Sequence, residues 1–427
     1  MRSSKVIMFL LLFCFIFGPR FKLLDILLIT SVFLCISGLF IIILKRNIKK
    51  EIIIFSIIVF SSLFYTLIIT SVYNFQDLTT IELIIKNLLY LYSAYFIVCI
   101  YKYIYKGNSD VNLNYHIFII GVINAGFSIL VFLSDGFREQ MLQILNYTNE
   151  DRRIVGDRSF DMSMGGNAIG SIVFSIIFIQ GLYLKKKKDS IIINVGLMLI
   201  FIATLFTART GLMIIILSII IYWVSFILSG KKLFSINVKK FIITILTLII
   251  VVIFIFLFNS QASESTSQQL EQELIPWAFE LYYSYMENGE LNTNSTDIIF
   301  NRMYFLPETT KDLIFGTSNM GRSTNLSYIP SDVGYVRLIF AVGIIGLVLI
   351  ILPYIYMFYI GITDRHKNIS SRMLIITLLV VFISNFKELV FLPRGGASIL
   401  FIFFIASFLI NQDKVQKQSI IDKGSVV

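Results

Sequence analysis

The sequence predicts an all-α polytopic membrane protein of about twelve transmembrane helices with one large helical extracytoplasmic loop. Three observations predict it. Of 427 residues, 57% are apolar and only 15% charged, with mean hydropathy +0.83, the composition of a chain whose solvent is lipid. The apolar residues come in runs near the ~20 that a helix needs to cross a bilayer core. Lysines crowd the short loops on alternate sides of these runs, as the positive-inside bias requires.

The first run, 5–18, follows Arg2 and Lys5 as a signal peptide would. Pro19-Arg20-Phe21-Lys22 comes next instead of a small-x-small cleavage site, so the run is read as a span. Further spans are expected at 23–44, 52–71, 81–101, 115–134, 167–184, 190–206, 211–229, 241–258, 333–359, 373–386 and 396–410. The inner loops then hold Lys45-Arg46 with Lys49-Lys50, Lys102 with Lys106, Lys185 to Lys188, Lys231-Lys232 with Lys239-Lys240, and Arg365, Lys367 and Arg372. The Lys185–Lys188 run, wedged between two spans, fixes the orientation most firmly. Both termini fall inside, with the basic tail at Lys414, Lys417 and Lys423.

The chain therefore divides into residues 1–258 (spans one to nine, with an outer loop at 135–166), a large outer loop at 259–332, spans ten to twelve at 333–410, and a cytoplasmic tail at 411–427. In the large loop, Pro276 opens a helix that presents Trp277, Leu281 and Tyr285 on one side, with Gly289 placed to end it. A second helix begins near Ser295-Thr296-Asp297 and carries Arg302; a third short piece from Pro307 ends at Phe315-Gly316. These helices are expected on or near the outer membrane surface, roofing a cavity. Trp277, Tyr282, Tyr283 and Tyr285 fit an interfacial aromatic belt better than a sugar platform.

Composition also excludes classes. The formal charge of +10 is accounted for by inner loops that face anionic lipid, and no contiguous basic patch suits nucleic acid. Cys14, Cys35 and Cys99 lie in apolar runs and read as small core hydrophobes, so neither a disulfide framework nor a metal cluster is expected. There is no P-loop, Rossmann glycine pattern or zinc spacing, and the inner loops are too short to fold around a nucleotide. No metal and no cofactor is expected.

The threading leaves ten of fourteen arginines on the outer face and eighteen of twenty-two lysines on the inner face. An outward arginine excess opposes the usual bias, and arginine grips phosphate with a planar fork that lysine lacks. Arg209, in the tight connection Phe206-Thr207-Ala208-Arg209-Thr210-Gly211, is the sharpest position. A guanidinium at that depth costs several kcal/mol unless paired or hydrated, and such groups are often functional; snorkelling to headgroup phosphate is the plainer alternative. Arg337 lies one turn inside its span, neutralised by Asp332 or by another outer group. Arg302 and Arg322 come from the large loop, Arg394 from Leu392-Pro393-Arg394-Gly395-Gly396, and Arg153 and Arg158 from the first outer loop. Singly each is the usual partner of a structural ion pair; several on one face would suit a pyrophosphate. Glu82 and Lys86, spaced i,i+4, read as a self-neutralising pair. Lys387-Glu388 reads similarly, although Glu388 stays open as a base.

Three stretches resemble the O-antigen polymerase and O-antigen ligase superfamily, the Wzy-like integral-membrane glycosyltransferases. Arg153-Ile-Val-Gly156 followed by Asn167-Ala-Ile-Gly170 is similar to the family's Arg-x-x-Gly … Asn pattern. Thr207-Ala208-Arg209-Thr210-Gly211 looks like its Ser-Arg-Thr turn, with Ala in place of Ser. The run from Phe315-Gly316 through Asp332-Val-Gly334-Tyr335-Val-Arg337 to Gly343-Ile-Ile-Gly346 resembles the end of the large loop and the span after it. Two departures stand out: Gly166 replaces the proline usual before the first-motif Asn, and Asp332 stands where the ligase branch carries a His. His116 and His366 both thread to the inner side, which favours polymerase over ligase.

The resemblance implies a GT-C-like helical fold in a bacterial cytoplasmic membrane, working on the outer face without a metal. The donor would be an oligosaccharide on undecaprenyl pyrophosphate and the acceptor a second lipid-linked repeat, with a polysaccharide chain-length regulator as a further partner. Arg209 and Arg302 are assigned to the leaving pyrophosphate with Arg153 and Arg337 nearby; Arg158, Arg322 and Arg394 are assigned to substrate; Asp332 is the candidate general base. The main rival from another class is a flippase or transporter for lipid-linked sugars, against which stand the folded outer loop and the absence of paired similar halves. Ligase activity is a third reading.

Overall fold

The computed structural model describes residues 2–45, 48–146, 159–162, 167–187, 190–228, 284–286, 297–321, 328–364, 368–391 and 396–410. Among these residues the protein is helical, and the only extended pairing is an isolated antiparallel bridge between Phe21 and Leu145. A helix coincides with every expected span except 241–258, which lies outside the described residues. Among the described residues, five helical stretches are long and apolar enough to cross a membrane: Ile26–Leu44, Lys50–Val72, Thr79–Leu133, Ala168–Lys185 and Gly334–Thr363. The chain forms two compact units, one made of Met1–Gly18, Asp25–Asn114 and Asn294–Val427, the other of Pro19–Leu24 and Tyr115–Thr293.

The first unit holds α1 (Arg2–Phe17), α2 (Ile26–Lys45), α3 (Lys50–Val72), α4 (Thr79–Tyr105), the start of α5 (Ser109–Leu133), α10 (Thr310–Phe315), α11 (Gly334–Asp364), α12 (Ile369–Ser384) and α13 (Gly396–Leu409). Its centre is α13, buried at every side chain from Ala397 to Leu409. Phe55 of α3 meets Phe401 and Phe404 at 5.6 and 5.4 Å between ring centroids.

Charged groups from neighbouring elements close the helix ends. Asp110 accepts from the Ile369 and Ser370 amides at 2.8 and 3.2 Å and from Ser370 Oγ at 2.5 Å, at the start of α12. Asn368 Oδ1 accepts from the Ser371 amide at 2.7 Å. At the other polarity, Lys102 Nζ donates to Leu409 O at 3.0 Å, and Asn368 Nδ2 donates to Ala406 O and Ser407 O at the end of α13. An anion at an N-terminus and a cation at a C-terminus each answer orphan backbone groups and the helix dipole.

The span expected as continuous over 333–359 differs in the structure. Gly343, at φ 66°, breaks α11 and leaves Gly334–Val342 as a short piece ahead of the longer one. The freed carbonyls of Phe340 and Ala341 accept from the Thr317 and Ser318 amides at 2.7 and 2.9 Å. The return limb of the large loop is thus bonded into the break. Tyr65 of α3 reinforces it by donating to Phe315 O and Val342 O. The expected third loop helix is α10, begun by Thr309, whose Oγ1 accepts from the Asp312 amide at 3.1 Å, and ended by Gly316. The second is present as residues 297–303, closing in a π turn at Ile299–Met303 that contains Arg302. Of the first, only residues 284–286 are described, and they are helical.

The second unit contains the rest of α5, α6 (Asp135–Ile144), α7 (Asn167–Lys187), α8 (Ile191–Thr207) and α9 (Arg209–Leu228). The short α6 is capped by Ser134, which accepts from the Phe137 amide at 3.3 Å. It lays Phe137, Met141 and Leu142 on a cluster with Phe127, Val131, Leu145 and Phe160. Glycines let the long helices close: a Cβ at Gly121 would meet Ile177 at 2.6 Å and one at Gly196 would meet Val122 at 2.7 Å. Membrane helices lack a hydrophobic drive between them and depend on such close backbone approach.

Candidate functional site

In the first unit the candidate residues gather where α11 begins. The turn after α12 supplies the base. Buried Asn385 accepts from the Val390 amide through Oδ1 at 2.9 Å and from the Gly334 amide through its backbone carbonyl at 3.0 Å. Gly334 is required there, since a Cβ would sit 2.5 Å from Asn385 Oδ1.

Ser331 then joins two arginine-bearing segments. Its Oγ donates to Met303 O at 2.8 Å, beside Arg302, and accepts from the Val333 amide at 3.2 Å; its carbonyl accepts from Arg337 Nε at 2.7 Å. Arg337 is only 8% exposed. The Ser331 carbonyl is its one hydrogen-bond partner among the described residues, and no carboxylate there pairs with it. Neither expected neutralisation is seen among the described residues: no other outer carboxylate pairs with Arg337, and Asp332, the lesser expectation, is exposed and makes no ion pair with it. Burying a cation without a counter-charge costs several kcal/mol, and a bound anion offsets it. Arg302 is exposed at the same end of the unit.

A row of rings borders these groups. Phe300 and Tyr304 stack with centroids 5.8 Å apart and planes 10° apart. Tyr304 donates to Phe386 O at 2.5 Å, and Tyr335 meets the Phe386 ring edge-on at 4.8 Å while donating to Phe382 O at 3.0 Å. Burial pushes the Tyr304 phenol above its ordinary value.

In the second unit, Arg209 is the first residue of α9, and Ala208 before it is extended. The α8–α9 connection is held by Ser159, whose amide donates to Phe206 O at 3.1 Å and whose hydroxyl lies 2.7 Å from Ser128 Oγ. Ser128 Oγ is in turn 3.3 Å from Thr207 Oγ1. Two residues on, the carboxylate of Asp161 is buried against Gly170, where a Cβ would meet its Cγ at 3.2 Å. Gly211 donates to Ser171 Oγ at 3.1 Å and accepts from Ser175 Oγ at 2.7 Å. The stretches 167–170 and 207–211 are thereby brought together at the heads of α7 and α9.

The structure gathers Arg302, Asp332 and Arg337 in the first unit and places Arg209 in the second. Arg153, Arg158, Arg322 and Arg394 lie outside the described residues. Glu82 and Lys86 do pair, at 2.5 Å. Ser331 and Asp161 were missed by the sequence reading; a lone carboxylate between Phe160 and Met162 was the available signal for the second, and Ser331 gave none. No group of metal-ligand side chains occurs among the described residues. No family model, curated protein or solved structure matches the chain.

Proposed function

We propose that the protein polymerises oligosaccharide repeats carried on undecaprenyl pyrophosphate, at the outer face of a bacterial cytoplasmic membrane, as a Wzy-like glycosyltransferase. The observation that carries the reading is Arg337, a buried guanidinium with one backbone hydrogen bond and no paired carboxylate among the described residues. A fixed cation of this kind is suited to an anion that arrives and leaves. Arg302 follows on the segment that Ser331 ties to Arg337 through Met303 O, and in this reading the two guanidinium forks serve one pyrophosphate.

In this reading an acceptor-sugar hydroxyl attacks the anomeric carbon at the donor's reducing end. The new C–O bond forms as the bond to pyrophosphate breaks, and undecaprenyl pyrophosphate departs with the electron pair. Arg302 and Arg337 stabilise the developing negative charge, as pre-placed donors do most effectively in a site poor in water. Asp332, exposed beside them, takes the hydroxyl proton. Arg209 serves phosphate binding in its own unit.

The test is the size profile of surface glycan after deletion of the gene. Chains stopped at one repeat, restored to a full ladder by the wild-type gene and not by Arg337→Gln at equal protein level, support polymerisation. Loss of every repeat points to flippase or ligase, and an unchanged ladder sinks the reading.

A further inference from the structure

We propose that Phe300, Tyr304 and Phe386 form a platform on which sugar rings stack, next to the arginines of the candidate site. The inference rests on the polymerase reading and deepens it by assigning the glycan its own contact surface. Phe300 is 66% exposed, Tyr304 40% and Phe386 57%; Phe300 lies in the π turn Ile299–Met303, and the Phe386 amide donates to Ile383 O. The phenol of Tyr304 is used on Phe386 O and that of Tyr335 on Phe382 O. The row therefore offers exposed ring surface, with its hydroxyls already engaged.

Charge decides what such a row can hold. Arg302 lies between Phe300 and Tyr304 in the chain, and Lys387 and Glu388 follow Phe386 directly. Ser331, bonded to Met303 O, carries Asp332 next to it. Hydrocarbon against this many ionised groups is costly. A pyranose suits both halves: its C–H face packs on the negative face of an aromatic ring, and its hydroxyls reach the charged rim. Apolar walls with a few convergent polar groups are the common form of a small-ligand site. The Ser331 bonds to Met303 O and Arg337 Nε keep the row adjacent to the phosphate-binding arginines, as a sugar joined to a pyrophosphate requires.

The experiment uses the full chain in detergent and short oligosaccharides cut from the host's own surface polysaccharide, with binding followed by saturation-transfer NMR. Phe300→Ala and Phe386→Ala are each expected to weaken binding about tenfold, equivalent to one lost stacking contact. Phe64→Ala, on the exposed face of α3, is expected to bind as wild type. Thermal stabilisation by added phosphatidylglycerol is read in parallel. The proposal is overturned if wild type binds no oligosaccharide, or if the alanine variants keep oligosaccharide binding and lose only the lipid effect, which would make the row a membrane anchor. Failure of the polymerase reading looks different: the deletion strain keeps its full ladder while purified protein still binds oligosaccharide through Phe300 and Phe386.

Discussion

Gly316 and Gly343 cross backbone to backbone, each in the left-handed region at φ 83° and 66°. A Cβ on Gly316 would stand 2.5 Å from Gly343 N, and one on Gly343 would stand 2.6 Å from Gly316 N. Neither residue can carry a side chain while the other keeps its place. The crossing is what lets the large loop's return limb take up the carbonyls freed where α11 breaks.

Gly343→Ala is therefore expected to destabilise the first unit. The positive-φ, extended backbone at Gly343 alone costs about 1–3 kcal/mol with a Cβ, and the steric contacts add to that. Thermal unfolding in detergent should show a clear drop, and Gly346→Ala, which meets chiefly side-chain atoms, should cost less. Equal Tm values for Gly343→Ala and wild type would mean that α11 can run straight through.

Arg337 predicts anion-dependent stability. Inorganic pyrophosphate should raise the Tm of the wild type, by the equivalent of about 2.7 kcal/mol at a hundredfold excess over Kd. Arg337→Gln should abolish the rise, and Arg337→Lys, which keeps charge without the fork, should recover only part of it. A full response in Arg337→Gln would remove this guanidinium from phosphate binding.

For Arg209 the comparison is between lysine and alanine. Arg209→Lys is expected not to restore the glycan ladder lost in Arg209→Ala, because a point charge does not replace a bidentate grip. Normal polymer from Arg209→Ala at wild-type protein level would show that the side chain is only snorkelling.

Tyr73 gives a pH dependence. Its phenol donates to Asp312 Oδ1 at 3.2 Å, and burial first, then the Asp312 charge and that bond, push it above its ordinary value of 10.0. A phenol with a raised folded value holds its contribution in full below the unfolded value and loses it as pH rises through the folded one. Hydrogen exchange at residues 310–315, taken relative to the base-catalysed intrinsic rate, should accelerate above about pH 10, and Tyr73→Phe should abolish that excess acceleration. The same alkaline acceleration in Tyr73→Phe would assign it to another group.

The sequence made the regular parts legible because apolar run length and loop charge are local signals. Thr309 and Gly316 likewise announced the ends of α10 through capping chemistry. The break at Gly343 was not legible: Gly343-Ile-Ile-Gly346 reads as a helix-packing pattern, and what opens it is a segment 27 residues earlier in the chain. Nor was α6, whose apolar face is only Phe137, Met141 and Leu142 among charged neighbours. Arg337 was found, and of the partners named for it the lesser one, Asp332, is excluded. A spacing of five residues turns a helix by about 140° at 3.6 residues per turn, so Asp332 and Arg337 do not share a face even if both were helical. Ser331, the residue that joins Arg302's segment to Arg337, could be recognised only through contacts distant in sequence.

The burial of α13 has a consequence for how the protein is made. Its 14 residues are fewer than the ~20 that a bilayer-facing helix needs, yet every neighbour in its unit packs around it or around helices that touch it. It follows those neighbours in the chain, so they emerge from the ribosome first and wait with an unfilled centre. The core helix of the first unit is thus synthesised after the helices that surround it.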